Sequence, residues 1–199
     1  MQLACLGFRV HSGWGAVVAV ARESGGWQVL ERGRISVVDE KITGHTQPYH
    51  FAREHSLAEG KKHIARCAAA SLRLAQAALQ EVMEKLSREY SVKGAAVLLA
   101  SGRPLPELEK ILASHPLIHT AEGEFFRKAF FEACEALGIT VTGIREKELV
   151  ERAQAVFRKS AASLPAELAA AAKHLGPPWT QDQKAAALAA AVVLEGEKS

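Results

Sequence analysis

Cysteine is scarce in this chain, which has three in 199 residues: Cys5, Cys67 and Cys134. They are odd in number and far apart, so they fit reduced thiols in a cytoplasmic protein better than a disulfide framework. There is also no run of about 18 apolar residues, so we expect no transmembrane helix. The first residues, MQLACLGFRV, lack a basic segment followed by a long apolar one, and we therefore expect no signal peptide.

Carboxylates are scarce at the start of the chain, where the first 38 residues contain only Glu23 and Glu31. The net charge of +3 is too small to indicate a nucleic-acid partner by itself. Hydrophobic residues make up 48% and charged residues 24%, which excludes wholesale disorder. The length suffices for one well-buried core, and we predict a single domain over residues 1–199.

The first half of the chain predicts a meander followed by a loop and a long helix. Residues 1–38 form three apolar runs separated by Gly-containing turns, as in three antiparallel strands. Residues 43–56, TGHTQPYHFAREHS, are polar and hold Gly and Pro, so we predict a long loop. Ser56 and Glu59 have the spacing of a capping box, which predicts a helix over 57–90.

The second half predicts one buried strand and then mostly helices. The near-continuous apolar run at 92–100, VKGAAVLLA, is typical of a strand buried on both faces. Thr120 is the predicted N-cap of a Phe-rich helix that ends before Gly138. The other predicted elements are a short helix at 105–113, a strand at 139–144 and an Ala-rich helical part at 146–194.

This order of elements, a β-meander followed by β-α-β-α units, builds a mixed five-stranded sheet flanked by helices if the crossovers are right-handed. The pattern resembles the ribonuclease H-like fold, an α/β fold, over residues 1–194. In that fold the first and fourth strands are parallel neighbours. The resemblance therefore implies a functional site where these two strands end, beside the start of the closing helix.

The nuclease members of this fold hold two divalent metal ions there with carboxylates. This chain departs from that pattern. Its first predicted strand ends at Arg9-Val-His11, its fourth ends at Ser101-Gly-Arg103, and Asp182 near the start of the last helix is the candidate acid. We therefore do not expect a two-metal nuclease.

A basic rim could replace the missing acids and bind a phosphate group, because helix starts at the same edge would add amide donors. The residues of this rim would be Arg9, His11, Arg103 and His119. The alternative is that the two arginines pair with nearby carboxylates, namely Glu122, Glu124 or Asp182.

His119, Glu122 and Glu124 lie close together in the segment HTAEGE. With Asp182 they could form an acid/base or single-metal site, because histidine with nearby carboxylates is a common ligand set. The alternative is that the two glutamates only complement a helix N-terminus. Gly123 is a costly residue inside a helix, which indicates close approach of another backbone or a ligand.

The segment around the predicted loop is basic, with Lys41, Arg53, Lys61, Lys62 and Arg66 against Glu54 and Glu59. Tyr49, Phe51 and several histidines are interleaved, and such segments hold RNA by phosphate contact and base stacking. Arg53 and Lys62 are the candidate phosphate contacts. The alternative is an ordinary solvated face. His45, His50 and His55 are evenly spaced without a metal-site pattern, so no metal ligand is assigned.

The hairpin, polar loop, long basic helix and VLLASG strand are also similar to the middle domain of archaeal and eukaryotic release factors and pelota-type ribosome-rescue proteins. That domain is ribonuclease H-like too. In the release factors its loop carries a Gly-Gly-Gln tripeptide, whereas this chain has Gly44-His-Thr-Gln47. The resemblance therefore does not imply their hydrolytic function, and it assigns no residue role.

Three functions remain open, and the cofactor is unknown. The first is a non-nuclease module that binds RNA or another phosphate-bearing partner. The second is a hydrolytic enzyme with a site around His119, Glu122, Glu124 and Asp182. The third is a scaffold whose Ala-rich helices pack against a partner.

Overall fold

A mixed five-stranded sheet is the centre of the computed structural model, which describes residues 1–100 and 104–196. The strand order is β3-β2-β1-β4-β5. Strands β1 to β3 are an antiparallel meander, whereas β4 and β5 run parallel to β1. This confirms the predicted ribonuclease H-like arrangement. The strands are β1 Gln2–His11, β2 Trp14–Glu23, β3 Gly26–Ser36, β4 Tyr90–Leu99 and β5 Thr140–Arg145.

Helices cover both faces of this sheet. Helices α2 and α4 pack on one face, and α5, α6 and α7 pack on the other. No helix among the described residues is long and apolar enough to cross a bilayer. The helices are α1 Pro48–Arg53, α2 Leu57–Leu86, α3 Leu108–Leu112, α4 His115–Ala136, α5 Leu149–Phe157, α6 Leu164–Ala171 and α7 Gln181–Gly196, with short 3-10 helices at Glu146–Glu148, Arg158–Ala162 and Lys173–Leu175.

The side chains of β1 alternate between these two layers. Leu6 and Phe8 belong to the core under α2 and α4, so Gly7 and Arg9 face α7. A Cβ at residue 7 would overlap the backbone oxygen of Ala186, so glycine is what lets α7 lie directly on β1. This close packing positions the first turn of α7 beside the carboxyl end of β1.

Helix α4 begins at His115, so the prediction that Thr120 is its N-cap was wrong. Pro116 is in the first turn, where its missing N–H is tolerated. The Thr120 hydroxyl lies inside the helix and donates to the Pro116 carbonyl oxygen at 3.0 Å. Glu122 and Glu124 therefore lie beyond the first turn, so they do not complement the helix N-terminus.

The segment 43–56 is not an uninterrupted loop, because α1 occupies its middle, Pro48–Arg53. The predicted capping box is confirmed: Ser56 Oγ accepts from the Glu59 backbone N–H at 3.3 Å, and Glu59 accepts from the Ser56 backbone N–H at 3.2 Å. Helix α2 ends at Leu86 rather than near Tyr90, because Tyr90 begins β4.

His45 ties this segment to the core. The Asp39 backbone N–H donates to His45 Nδ1 at 2.9 Å, so Nε2 carries the proton and donates to Ser71 Oγ, also at 2.9 Å. The Ser71 hydroxyl donates in turn to the Val37 carbonyl at 2.7 Å. Burial holds the pKa of His45 below its ordinary value, which favours this neutral form. His45 is a structural residue.

Candidate functional site

Arg9 is at the centre of the sheet edge where β1 and β4 end. It is one of the β1 residues that face α7, and only a quarter of its side chain is exposed. Its Nε and Nη2 donate to the two carboxylate oxygens of Glu146 at 3.1 and 3.3 Å. Its Nη1 donates to Asp182 Oδ1 at 3.0 Å. One guanidinium thus binds two carboxylates that come from the end of β5 and the start of α7.

His11 contacts the same carboxylate and continues the cluster outward. His11 Nε2 lies 3.0 Å from Asp182 Oδ1, and its ring stacks on Trp14 with centroids 4.4 Å apart. The guanidinium of Arg34 also lies over the Trp14 ring, 3.9 Å from its centroid. Trp14 and Arg34 border a cavity of about 380 Å³ between β2, β3 and the start of α7.

A second cavity of about 370 Å³ lies next to Arg9 and Glu146. Its walls come from the end of β4 and from helices α5, α6 and α7, and they are mainly apolar. Trp179 Nε1 is buried beside it and has no hydrogen-bond partner in the part of the chain that the structure describes. The further lining residues are Leu98, Leu149, Val150, Pro165, Leu168, Gln181, Lys184, Ala185 and Leu188.

The residues at this edge do not fit the two-metal centre that nucleases of the fold build there. Such a centre needs carboxylates that are free to hold cations. Here Asp182 and Glu146 both bind Arg9, and β1 supplies an arginine and a histidine in place of an acid. The single positive charge of this guanidinium offsets part of the negative charge that metal ions would offset in such a centre.

Glu146 was not among the predicted site residues, although its position in the chain carries a signal. Glu146 directly follows β5, and β5 pairs parallel with β4 in the sheet. The carboxyl ends of neighbouring parallel strands share one edge, so a residue that follows β5 belongs at the same edge as Arg9. Arg9 pairs with Asp182, one of the three carboxylates proposed as its partners, and with Glu146, which was not among them.

His119 and Glu122 do not join Asp182. They belong to α4, whereas Asp182 begins α7, and these helices pack on opposite faces of the sheet. Arg127 of α4 donates to the Leu98 carbonyl near the end of β4 at 3.2 Å. His119 lies eight residues before Arg127, which places it about 12 Å further along the helix and away from that strand. The four acid/base candidates therefore do not share one pocket.

His119 lies close to two other histidines, His50 and His115. Their nearest ring nitrogens all lie within 4.8 Å of one another. The ring centroids are 4.4 Å apart for His115 and His119, 5.0 Å for His50 and His119, and 5.4 Å for His50 and His115. We call these residues the histidine cluster.

Glu122 binds His50 and so holds one member of the histidine cluster in place. It is a buried carboxylate, 3% exposed, and its Oε1 lies 2.9 Å from His50 Nδ1. The same oxygen accepts from the His50 backbone N–H at 3.2 Å. A buried carboxylate is costly without such partners, so Glu122 fixes the position of His50. Burial, and to a lesser extent the negative charge of Glu122, raises the pKa of the neighbouring Tyr49.

Glu124 points elsewhere. Its Oε1 accepts from Arg127 Nη1 at 3.2 Å, and Arg127 is the residue that binds the end of β4. The close neighbour of Gly123 is also Arg127, since a Cβ at residue 123 would lie 2.9 Å from Arg127 Nη1. The expected close approach at Gly123 is thus made by an arginine of the same helix.

The cations of α1 and α2 lie on an exposed face. Arg53, Lys61, Lys62 and Arg66 are exposed and have no ion-pair partner among the described residues. The nearby aromatic rings are already engaged. Phe51 stacks between His55 and His63, with centroids 4.3 and 4.1 Å away. Tyr49 packs edge-on against Phe125. Arg103, the remaining candidate, lies outside the described residues.

The sheet order, the parallel β1–β4 pair and the closing helix at their carboxyl ends define the ribonuclease H-like fold, and this chain has that fold. No protein-family profile and no curated protein sequence matches it. Solved structures of the RuvC protein of Thermus thermophilus match in fold. One is a complex with a Holliday junction substrate, with a TM-score of 0.54 and 13% identity, covering 100% of this chain and 97% of RuvC. Another RuvC structure has a TM-score of 0.53 and 13% identity, covering 98% and 96%.

Proposed function

We propose that this chain binds the phosphate backbone of a nucleic acid and does not hydrolyse it by a two-metal mechanism. The observation that carries this proposal is Arg9, which binds both carboxylates at the sheet edge. A cation of the protein itself stands where the nucleases of this fold need acidic ligands. The similar fold of RuvC, solved with a Holliday junction substrate, supports a nucleic acid as the partner.

The binding surface that we propose is the exposed face of α1 and the first half of α2. Its cations Arg53, Lys61, Lys62 and Arg66 outnumber the carboxylates of Glu54 and Glu59. Glu59 is also engaged in the capping box, and the Ser56 hydroxyl and backbone N–H hold the pKa of its carboxyl below the ordinary value. The unpaired cations are therefore available to a polyanion.

The geometry of this face favours contact with phosphates over contact with bases. Lys62 and Arg66 are one helical turn apart on α2, and Ala65 and Ala69 beside them are exposed and small. These small side chains leave room for a backbone to approach the two cations. Because Phe51 is stacked between two histidines, it is not free for base stacking. We therefore expect binding with little sequence preference and strong salt dependence.

The scaffold alternative has less support. The large apolar side chains that are exposed in the described part of the chain are Met1, Leu3 and Val150. Val150 belongs to α5, whereas the other two are at the start of the chain, so they do not form a broad apolar patch on the Ala-rich helices. A broad exposed apolar patch is one mark of a partner interface.

Fluorescence anisotropy with labelled single-stranded RNA, single-stranded DNA, duplex DNA and a four-way DNA junction tests the binding. We expect binding to at least one of them at 50 mM salt. The double variant Arg53→Ala/Lys62→Ala should bind at least 5-fold more weakly. Two fewer phosphate contacts should also lower the slope of log K against log salt by about 1.8 on duplex DNA. The control is Lys159→Ala/Lys173→Ala, which removes the same charge from two exposed residues on the opposite layer.

The absence of binding to all four nucleic acids at 50 mM salt would refute the proposal. Equal losses in the two double variants would refute this surface as the binding face. Cleavage is tested on the same substrates with Mg²⁺ or Mn²⁺. Metal-dependent cleavage that survives purification and disappears in Asp182→Asn would contradict the role that we assign to Arg9.

A further inference from the structure

The histidine cluster consists of two histidines that are near each other in the sequence and a third that is far from them. His115 and His119 are four residues apart in α4, so their side chains extend from the same face of the helix. His50 comes from α1, which packs against α4 and α3. The three imidazoles thus approach one another from two elements that the fold brings together.

The spacing of the ring nitrogens suits a shared metal ion. In a tetrahedral zinc site the Zn–N distance is about 2.0–2.1 Å, which places two ligating nitrogens about 3.4 Å apart. One ring nitrogen from each histidine of the cluster lies within 4.8 Å of the other two. His115 and His119 are exposed, so rotation of their side chains can close the remaining gap without a change in the core.

Glu122 supplies the support that metal-binding histidines generally have. A metal-ligating imidazole usually donates its other ring N–H to a carboxylate, which fixes its tautomer and orientation. Glu122 Oε1 lies 2.9 Å from His50 Nδ1, so the Nδ1–H donates to it and the lone pair of Nε2 is left for a ligand. Because Glu122 is buried and also binds the His50 backbone, this orientation is set before any metal arrives.

We propose that His50, His115 and His119 bind one divalent transition-metal ion, zinc first among them, through ring nitrogens. Imidazole ligands suit zinc, copper, nickel and iron, whereas Mg²⁺ and Ca²⁺ prefer oxygen. Three protein nitrogens leave the fourth tetrahedral position open, and the exposure of His115 and His119 directs it to solvent. Water or an anionic oxygen would occupy this position. This proposal does not depend on nucleic-acid binding.

Titration of the chelator-treated full chain with Zn²⁺ against a chromophoric zinc indicator tests the proposal. We expect one zinc ion per chain. His115→Ala and His119→Ala should each weaken zinc binding by at least 10-fold, and Glu122→Gln should weaken it about 10-fold through the orientation of His50. The matched control is His174→Ala, which removes an exposed histidine from the opposite layer and should leave the affinity unchanged.

Circular dichroism separates loss of the site from loss of the fold. His115 and His119 are exposed, so their alanine variants should keep the wild-type spectrum. Binding of Co²⁺ should give the intense visible absorption of a tetrahedral site in the wild type and not in His119→Ala. A wild-type stoichiometry well below one, half a zinc ion per chain with dimer formation, or unchanged affinity in folded His115→Ala and His119→Ala would each overturn the proposal.

Discussion

Removal of Arg9 should destabilise the protein, mainly through Asp182. Both side chains are about a quarter exposed and lie 3.0 Å apart, so the pair falls between an exposed ion pair of about 0.2–1 kcal/mol and a charged hydrogen bond of about 1.5–3 kcal/mol. We expect a coupling of about 1 kcal/mol between Arg9 and Asp182. Glu146 is 44% exposed, so its coupling to Arg9 should be about 0.5 kcal/mol or less. Arg9→Ala alone should cost about 2 kcal/mol, including the packing of its aliphatic stem.

Urea unfolding at pH 7 measures these energies in a double-mutant cycle of Arg9→Ala and Asp182→Ala, with a second cycle for Glu146→Ala. At 1 M salt the coupling to Glu146 should fall more than the coupling to Asp182, because screening acts more strongly on the exposed pair. Coupling between Arg9 and Asp182 below about 0.3 kcal/mol, together with a neutral Arg9→Ala, would refute the view that Arg9 stabilises the carboxylates at this edge.

Two further predictions concern the fold. Burial favours the neutral form of His45 and holds its pKa below the ordinary 6.5. As the pH falls, His45 therefore takes up a proton at a higher pH in the unfolded chain than in the folded protein. Stability should be fully present above pH 6.5 and should decline as the pH falls through the lowered pKa, by at most about 1.4 kcal/mol per pH unit. The non-titrating variant His45→Gln should show a smaller decline in urea unfolding between pH 7.5 and 5; an equal decline would contradict this origin. Gly7→Ala should cost about 2 kcal/mol or more because its Cβ overlaps the backbone of α7, whereas Gly25→Ala, with open space around it, should be nearly neutral in thermal unfolding.

Local patterns were sufficient for most of the fold. The alternation of Leu6 and Phe8 with Gly7 and Arg9 marks β1 as a strand, and the apolar run at 92–100 marks β4 as a buried one. These signals depend on the period of the backbone and on short-range hydrogen bonds. For that reason they can be recognised from the sequence alone. The resulting order of strands and helices was enough to predict the ribonuclease H-like fold.

Competing local signals misplaced the start of α4. Thr120 followed by acidic residues has the composition of a helix N-terminus, but Ser114 and Pro116 offer an earlier one. Packing decides between them, because Ile118 and Ala121 are buried against α3 and fix the earlier turns as helix.

The sequence by itself determined that β1 ends in a basic rather than an acidic residue, and hence that the edge used by nucleases of this fold is altered. Only the tertiary structure decided which groups meet there. Arg9 binds Asp182 and Glu146, which lie 173 and 137 positions away along the chain. His50 likewise joins His115 and His119 across a long separation. Such contacts follow from how helices pack on the two faces of the sheet, and no local period or spacing encodes them.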